Sequence, residues 1–382
     1  NFPYLATYGT NSSYNYLING SKPVIVKAPG LVAPDFTWET VTQMDFGFDA
    51  SFLNNRLTGT FDWYRRNTKD MLVAGATLPA TLGASVPKSN SADMKTIGWE
   101  LSLGWNDRLE NGFSYWVKGV LSDYQATITK YAGNDAGFYS QSDDDGKYYV
   151  GQKIGEIWGY HSNGLFQSDD EAATIDQSEL YAGKWGAGDV KYEDLDNDGK
   201  ITKGEETIYN PGDKSIIGNK TPRYQFGITV GFDYKNFDFE MFWQGTGKRD
   251  YMLSGAQFWG FTSQWDVPYT PALDYWTETN TDAYFPRPGW QNGGNRVTSD
   301  RYLQSAAYGR LKNLTVGYTI PKNLTTKWGI SRLRLYVTGE NLLTITPLND
   351  AFDPETLGGM TYPINRNVAT VPHGLSLSEL NQ

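Results

Sequence analysis

Apolar and polar residues alternate strictly along paired segments joined by short polar turns. Met44, Phe46, Phe48, Ala50 and Phe52 fall on one face, and Gln43, Asp45, Gly47, Asp49 and Ser51 on the other. After the turn Leu53-Asn54-Asn55-Arg56, Leu57, Gly59, Phe61 and Trp63 alternate with Thr58, Thr60, Asp62 and Tyr64. A period of two is that of a strand with one apolar and one wet face. In a soluble sandwich the apolar face would meet a second sheet. Here that face is large and aromatic and the other is small or charged, which predicts an all-β, antiparallel transmembrane β-barrel with lipid outside and a polar lumen inside.

The same pattern recurs along the chain. Trp99, Leu101, Leu103 and Trp105 alternate with Glu100, Ser102, Gly104 and Asn106, and after a turn over 107–112 a strand runs back from Phe113 to Lys130. On that strand Trp116 and Val120 blur the phase. Alternation returns at Tyr224, Phe226, Ile228, Val230, Phe232 and Tyr234, turns at Lys235-Asn236, and continues through Phe237, Phe239, Met241 and Trp243. A last pair carries Leu314, Val316, Tyr318 and Ile320, then Leu333, Leu335 and Val337. Eight strands in four hairpins are expected, with short turns at one end and two long loops, about 131–222 and 245–301, at the other. That asymmetry is characteristic of outer-membrane barrels.

Composition supports the pattern without setting it. The 382 residues include 13 Trp, 26 Tyr and 18 Phe, yet the mean hydropathy is −0.53. Alternation hides membrane strands from such an average, and no run approaches the ~18 apolar residues of a membrane helix. A net charge of −10 argues against nucleic acid as a partner. The absence of Cys excludes disulfides and thiolate chemistry. With no Met start or signal segment at Asn1, the chain is expected to begin inside a longer protein.

Several blocks resemble the barrel of SusC/RagA-type TonB-dependent outer-membrane transporters. They are Trp38-Glu39 leading to Phe52-Leu53-Asn54-Asn55-Arg56-Leu57-Thr58-Gly59 and Thr68-Lys69-Asp70-Met71-Leu72, then Ile154-Gly155-Glu156-Ile157-Trp158-Gly159-Tyr160 with Gly164-Leu165-Phe166-Gln167, and Gly188-Asp189-Val190-Lys191-Tyr192. Arg310-Leu311-Lys312-Asn313-Leu314-Thr315-Val316-Gly317-Tyr318, Tyr336-Val337-Thr338-Gly339-Glu340-Asn341-Leu342 and Gly359-Met360-Thr361-Tyr362-Pro363 follow in the family's order. The resemblance implies a 22-stranded barrel closed by a plug, importing oligosaccharides or peptides under a SusD-like surface lipoprotein, with TonB acting through the plug. Residues 1–382 would then be the C-terminal portion of the barrel, without the plug. The family's last alternating strand and its terminal aromatic are not matched after Arg366, where Val371-Pro372-His373-Gly374 interrupts.

Two features could carry chemistry. Asp194-Leu195-Asp196-Asn197-Asp198-Gly199-Lys200-Ile201-Thr202-Lys203-Gly204-Glu205 fits a twelve-position calcium loop. Asp194, Asp196, Asp198, the Lys200 carbonyl and Glu205 would hold a structural Ca²⁺, with Gly199 making the sharp turn. A solvated acidic turn is the alternative; the extended flanks argue against a helix-opening switch. The loop over 245–301 is dense in aromatics, with Trp259, Trp265 and Trp276 as candidate contacts to a substrate or a lipoprotein lid, against the plainer reading of a self-packed loop core. Asp45, Asp49, Asp62, Glu100, Asp238 and Arg332 are expected to line the lumen.

Enzymatic signals are weak: His161 and His373 are the two histidines, and Gly245-Thr246-Gly247-Lys248 lacks the full phosphate-loop pattern. The function expected is TonB-dependent import across the outer membrane, not catalysis. The competing readings are a secreted, calcium-dependent glycan-binding β-sandwich and a passive porin fragment.

Overall fold

A computed structural model describes residues 36–74, 86–132 and 148–357, the strands 368–371 and 375–378, short stretches before residue 36, and single positions at 81, 134 and 137. Its frame is a ten-stranded sheet. Eight long strands make up most of it: β1 Thr40–Phe52, β2 Leu57–Ala74, β3 Lys88–Arg108, β4 Ser114–Tyr131, β5 Arg223–Tyr234, β6 Phe237–Lys248, β7 Tyr308–Thr319 and β8 Arg334–Ile345. Two short strands follow, β9 Val368–Val371 and β10 Leu375–Ser378. Every pairing is antiparallel and β1 to β8 pair in chain order. The end of the sheet departs from that order, because β10 pairs with β8 and β9 lies beyond it. Residues 358–367 and 372–374, which include the block at Gly359 and the interruption at Pro372, lie outside the described residues.

Directly opposed side chains in an antiparallel pair share a face, so the register reads the two faces off row by row. One row runs Phe52, Leu57, Trp105, Val117, Val230, Met241 and Leu314. The next runs Ala50, Gly59, Leu103, Gly119, Ile228, Trp243 and Leu311, and the one above it Phe48, Phe61, Leu101, Leu121 and Phe226. All members are apolar or glycine. Intervening rows are polar, as in Asp49, Thr60 and Ser102, or Gly47, Asp62, Glu100, Ser122 and Gln225.

The apolar face is aromatic near both ends. Phe46 stacks on Trp63 at 5.9 Å and Phe232 on Phe239 at 5.1 Å, with Phe237 against Tyr318 at 4.7 Å. Phe46 and Phe48, on the edge strand of the sheet, are more than 60% exposed, as expected of side chains on a lipid-facing surface.

The two positions that blur the phase of β4 do not break it. Trp116 and Val120 point to the polar face opposite Gly231 and Gly227. A Cβ on Gly231 would lie 2.2 Å from the Trp116 ring, so glycine there makes room for an indole inside the barrel.

Other expectations need correction. β2 reaches Ala74 and β3 begins at Lys88, well before Trp99, because their outer ends rise past the apolar band and carry no lipid-facing alternation. β6 runs on through Gly245 to Lys248, since Gly245 packs directly against the Tyr308 carbonyl and keeps the ladder going. The fourth hairpin has no tight turn: its connection, 320–333, holds the helical turns Lys322–Thr325 and Thr326–Trp328. Arg332 therefore lies in that connection and not on a strand, and Arg334 is the residue that grips Asp238 in a two-pronged ion pair.

The long segments emerge from one end of the sheet and fold together. Tyr160, Leu165, Val190, Tyr192 and Ile201 from the first pack with Leu253, Phe258, Trp259, Phe285 and Tyr302 from the second and with Leu348, Phe352 and Leu357 after β8. This is one hydrophobic core built above the barrel wall from three connections. Short pairings, Glu156–Tyr160 with Lys214–Asn219 and Asp250–Met252 with Leu303–Ser305, continue the wall into it.

Candidate functional site

One buried carboxylate ties the two long loops of the cap together. Asp189 is 1% exposed; its oxygens accept hydrogen bonds from Arg287 Nε at 3.0 Å and Nη2 at 2.8 Å, from Asn295 Nδ2 at 2.8 Å and from the Gly186 N–H at 2.9 Å. Asn295 Oδ1 also accepts the Val190 N–H. A buried carboxylate needs such partners to offset its desolvation, and here they come from both long loops.

The acidic loop is ordered around Asp194, whose carboxylate accepts N–H groups from Asn197 at 2.7 Å, Asp198 at 3.3 Å and Gly199 at 2.8 Å. Asn197 and Gly199 take left-handed φ values of 62° and 84°, wrapping the chain round that carboxylate. Ile201, fully buried, anchors the loop to the cap core.

The geometry brings a further carboxylate to two of the expected donors. Asp194, Asp196 and Asp213 each offer an oxygen, all within 4.8 Å of one another. Asp213 is buried and accepts the Leu195 N–H at 2.8 Å and the Thr202 N–H at 2.7 Å. Asp198 and Glu205 lie outside this group: Asp198 accepts the Lys200 N–H at 2.8 Å, and Glu205 is exposed. Left-handed turns at Gly204 and Gly212 carry the chain away at Glu205 and return it at Asp213. Oxygens around one Ca²⁺ sit about 2.3–2.6 Å from it, hence at most ~5 Å apart, and the three carboxylates meet that limit.

Their electrostatics differ. Desolvation, joined by the charges of Asp198 and Asp213, pushes Asp196 above the usual carboxylate range. Asp194 also feels desolvation, but the N–H groups of Gly199, Asn197 and Asp198 outweigh it and hold the group low.

The three tryptophans part company. Trp259 is buried against Phe258, Phe285 and Tyr302, with centroids at 5.0, 6.1 and 4.6 Å. Trp276 is half-buried, its ring across Gly188. Trp265 is 83% exposed, and Val267, Tyr269 and Leu273 are exposed nearby in the chain, as is Trp290 further along it. The turn that presents Trp265 is tied by Asp266, which accepts the N–H groups of Thr262 and Ser263, each at 2.8 Å.

A profile of the family described as TonB dependent receptor-like, beta-barrel matches residues 2–342. The chain belongs to this family. TonB-dependent receptor P3 of Formosa agariphila is 29% identical over 408 aligned residues, covering 98% of this chain and 38% of that protein. TonB-dependent receptor SusC of Bacteroides thetaiotaomicron is 25% identical over 380 residues, covering 98% and 35%. The chain thus spans little more than a third of these relatives. The fold matches that of the RagAB peptide transporter with a TM-score of 0.71 at 22% identity, over 95% of this chain and 38% of that one.

As a TonB-dependent receptor barrel, the chain is an outer-membrane protein of a transporter family, not an enzyme. That bears on a constellation the sequence did not suggest. His161 Nδ1 lies 2.7 Å from Asp300 Oδ2 and its Nε2 2.7 Å from Ser215 Oγ. The other Asp300 oxygen accepts the Ser162 N–H at 3.0 Å. In this TonB-dependent receptor the three side chains clip the 214–219 strand to residue 300 of the second loop.

Proposed function

We propose that the chain is the C-terminal part of the barrel of a SusC/RagA-type importer, which takes oligosaccharides or peptides across the outer membrane with TonB acting through a plug region. The observation that carries this reading is a wall of apolar rows topped, among the described residues at one end only, by a packed cap drawn from three connections. A cap so placed can hold substrate over the lumen and present a surface to a partner. The partner proposed is a SusD-like lipoprotein, seated on the exposed apolar surface around Trp265. Trp276 at its half-buried edge is a secondary contact, and Trp259 serves the cap core.

We infer further that one Ca²⁺ pins the 188–222 segment, with Asp194 and Asp196 from the loop pattern and Asp213 supplied by the return of the chain. Asp198, the Lys200 carbonyl and Glu205 complete the pattern in the sequence. The ion's role is structural: it would offset the mutual repulsion of the carboxylates and fix the edge of the cap.

Co-purification of the full-length receptor with the lipoprotein encoded beside it, together with uptake of labelled oligosaccharide and peptide pools, tests the proposal. Loss of uptake on deleting the lipoprotein supports it. Uptake unchanged without lipoprotein or TonB would favour the passive porin.

A further inference from the structure

The second long loop builds a small pocket into the cap. Trp259 and Phe285, both buried, line its depth, and exposed Gly289 lines its mouth. Between them stand Phe261 and Tyr275, edge to face at 6.3 Å and 89°. The space is about 20 Å³, room for a group of one or two oxygens and not for a whole sugar or amino acid.

Arg296 brings charge to this apolar setting. It closes the helical turn Gly293–Arg296, and its guanidinium donates to the carbonyls of Phe261 at 3.4 Å, Gly289 at 3.2 Å and Trp290 at 3.1 Å. Those carbonyls satisfy N–H groups and fix the plane of the guanidinium, but they bring no negative charge to match it. Among the described residues Arg296 makes no ion pair, and its Nε–H has no protein acceptor. Burial works against its charge. Asp266 opposes that effect from beyond ion-pair distance, and its carboxylate is taken up by the N–H and hydroxyl groups of Thr262 and Ser263. Arg287, also lining the pocket, gives Nε and Nη2 to Asp189 and leaves Nη1 without an acceptor among the described residues.

We propose that this pocket holds a carboxylate of the imported substrate, so that the receptor selects acidic oligosaccharides or acidic peptides. The proposal rests on the importer reading above and narrows its substrate class. A carboxylate is a flat pair of oxygens that matches the N–H edge of a guanidinium, fits the volume and supplies the charge that the carbonyls do not. The aromatic walls keep water away, which strengthens the pairing. The rest of the substrate stays outside, over Gly289. Arg296 also ties Phe261, which leads into the turn bearing Trp265, so the bound acid lies beside the surface proposed for the lipoprotein.

The test is equilibrium dialysis of the full-length receptor in mild detergent, without lipoprotein, against two matched pairs. One is tetragalacturonate and its methyl ester; the other is the end-blocked peptides Ala-Ala-Glu-Ala-Ala and Ala-Ala-Gln-Ala-Ala. At least one acid should bind about tenfold more tightly than its neutral counterpart, as one charged hydrogen-bonded pair provides, and the pair that discriminates names the source. Arg296→Gln should abolish the discrimination, Arg296→Lys should keep part of it, and Lys327→Gln, at the opposite end of the wall, should keep all of it. Because Arg296 also ties three carbonyls, Gly289→Leu gives an independent check. A Cβ there meets only the Arg287 carbonyl at 4.0 Å, so the new side chain covers the mouth with Arg296 in place. It should abolish the discrimination with the thermal melt unchanged. The assay needs neither lipoprotein nor TonB, so its failure would leave the importer reading to the uptake experiment. The proposal is overturned if neither pair discriminates, or if discrimination survives in Arg296→Gln or Gly289→Leu. It is also overturned if Arg296→Gln weakens the lipoprotein complex while the receptor alone shows no preference, which would make the pocket a contact of the lid.

Discussion

Asp189 and Arg287, 98 residues apart in the chain, meet through two hydrogen bonds at 3.0 and 2.8 Å, the carboxylate buried and the guanidinium 40% exposed. One loop supplies the anion and the other the cation, so the pair adds a polar tie to the apolar core the two loops share. Arg287→Ala leaves a buried carboxylate with Asn295 and one N–H as partners. Breaking a fully buried pair costs about 3–5 kcal/mol, and the partial exposure of the arginine lowers the expected cost to ~2–3 kcal/mol. Limited proteolysis should then cut within 148–307 while far-ultraviolet circular dichroism of the sheet stays constant. Equal protease resistance in wild type and variant would show that apolar packing alone holds the cap.

Removing Ca²⁺ should loosen the 188–222 segment without changing strand content, and Asp213→Asn and Asp196→Ala should each reproduce chelation. Calorimetry reads the uptake directly. No heat of binding at millimolar Ca²⁺ would leave a solvated acidic turn.

The pH dependence of that site follows from its two shifts. Asp196 has a raised folded-state value, so folding disfavours its charged form relative to the unfolded chain. Its contribution to stability is present below its unfolded value and is lost as pH rises through the folded one. Asp194 is lowered, so its contribution is present above its unfolded value and is lost as pH falls through the folded one. On acidification Asp196 therefore takes its proton before Asp194, and Ca²⁺ affinity should begin to fall above pH ~4, the ordinary aspartate value. Affinity constant from pH 7 down to about 4 would contradict this donor set.

Trp265 and Trp259 should separate partner binding from folding. Trp265→Ala is expected to weaken the lipoprotein complex by roughly 1–2 kcal/mol and leave the melting temperature alone. Trp259→Ala empties part of the cap core and should cost about 3–5 kcal/mol of stability. If Trp265→Ala leaves both the complex and uptake intact, the exposed loop is no docking surface.

The wall was legible because lipid contact imposes a strict period of two: every residue from Met44 to Phe52 and from Leu57 to Trp63 falls on the face its parity assigns. Legibility failed where lipid ceases to select. The outer ends of β2 and β3 lose the alternation, β2 running polar from Arg65 to Asp70 and then apolar from Met71 to Ala74, and the 320–333 connection replaces a tight turn with helical turns. The cap was harder still. Its core residues share no period, and its ties, such as Val190 to Asn295 or Arg287 to Asp189, join positions about a hundred residues apart. Asp213 illustrates the limit: the twelve-position pattern pointed to Glu205, whereas the fold also brings Asp213 beside Asp194 and Asp196. Its one sequence signal is an acid directly before the Lys214–Asn219 strand.

The central claim is that neighbouring residues of one strand face different solvents, and it is tested at Ile228 and Thr229. Ile228 sits in the apolar row between Gly119 and Trp243, and Thr229 in the polar row between Lys118 and Phe242. With Ile228 near mid-bilayer, Ile228→Arg should cost roughly 2–4 kcal/mol and Thr229→Arg much less. The direct measurement is nitroxide accessibility at 228 and 229 in the full-length receptor reconstituted in lipid. The account predicts that oxygen, which partitions into lipid, relaxes the label at 228 and that a water-soluble nickel chelate relaxes the label at 229. Equal relaxation of both labels by both reagents would contradict it.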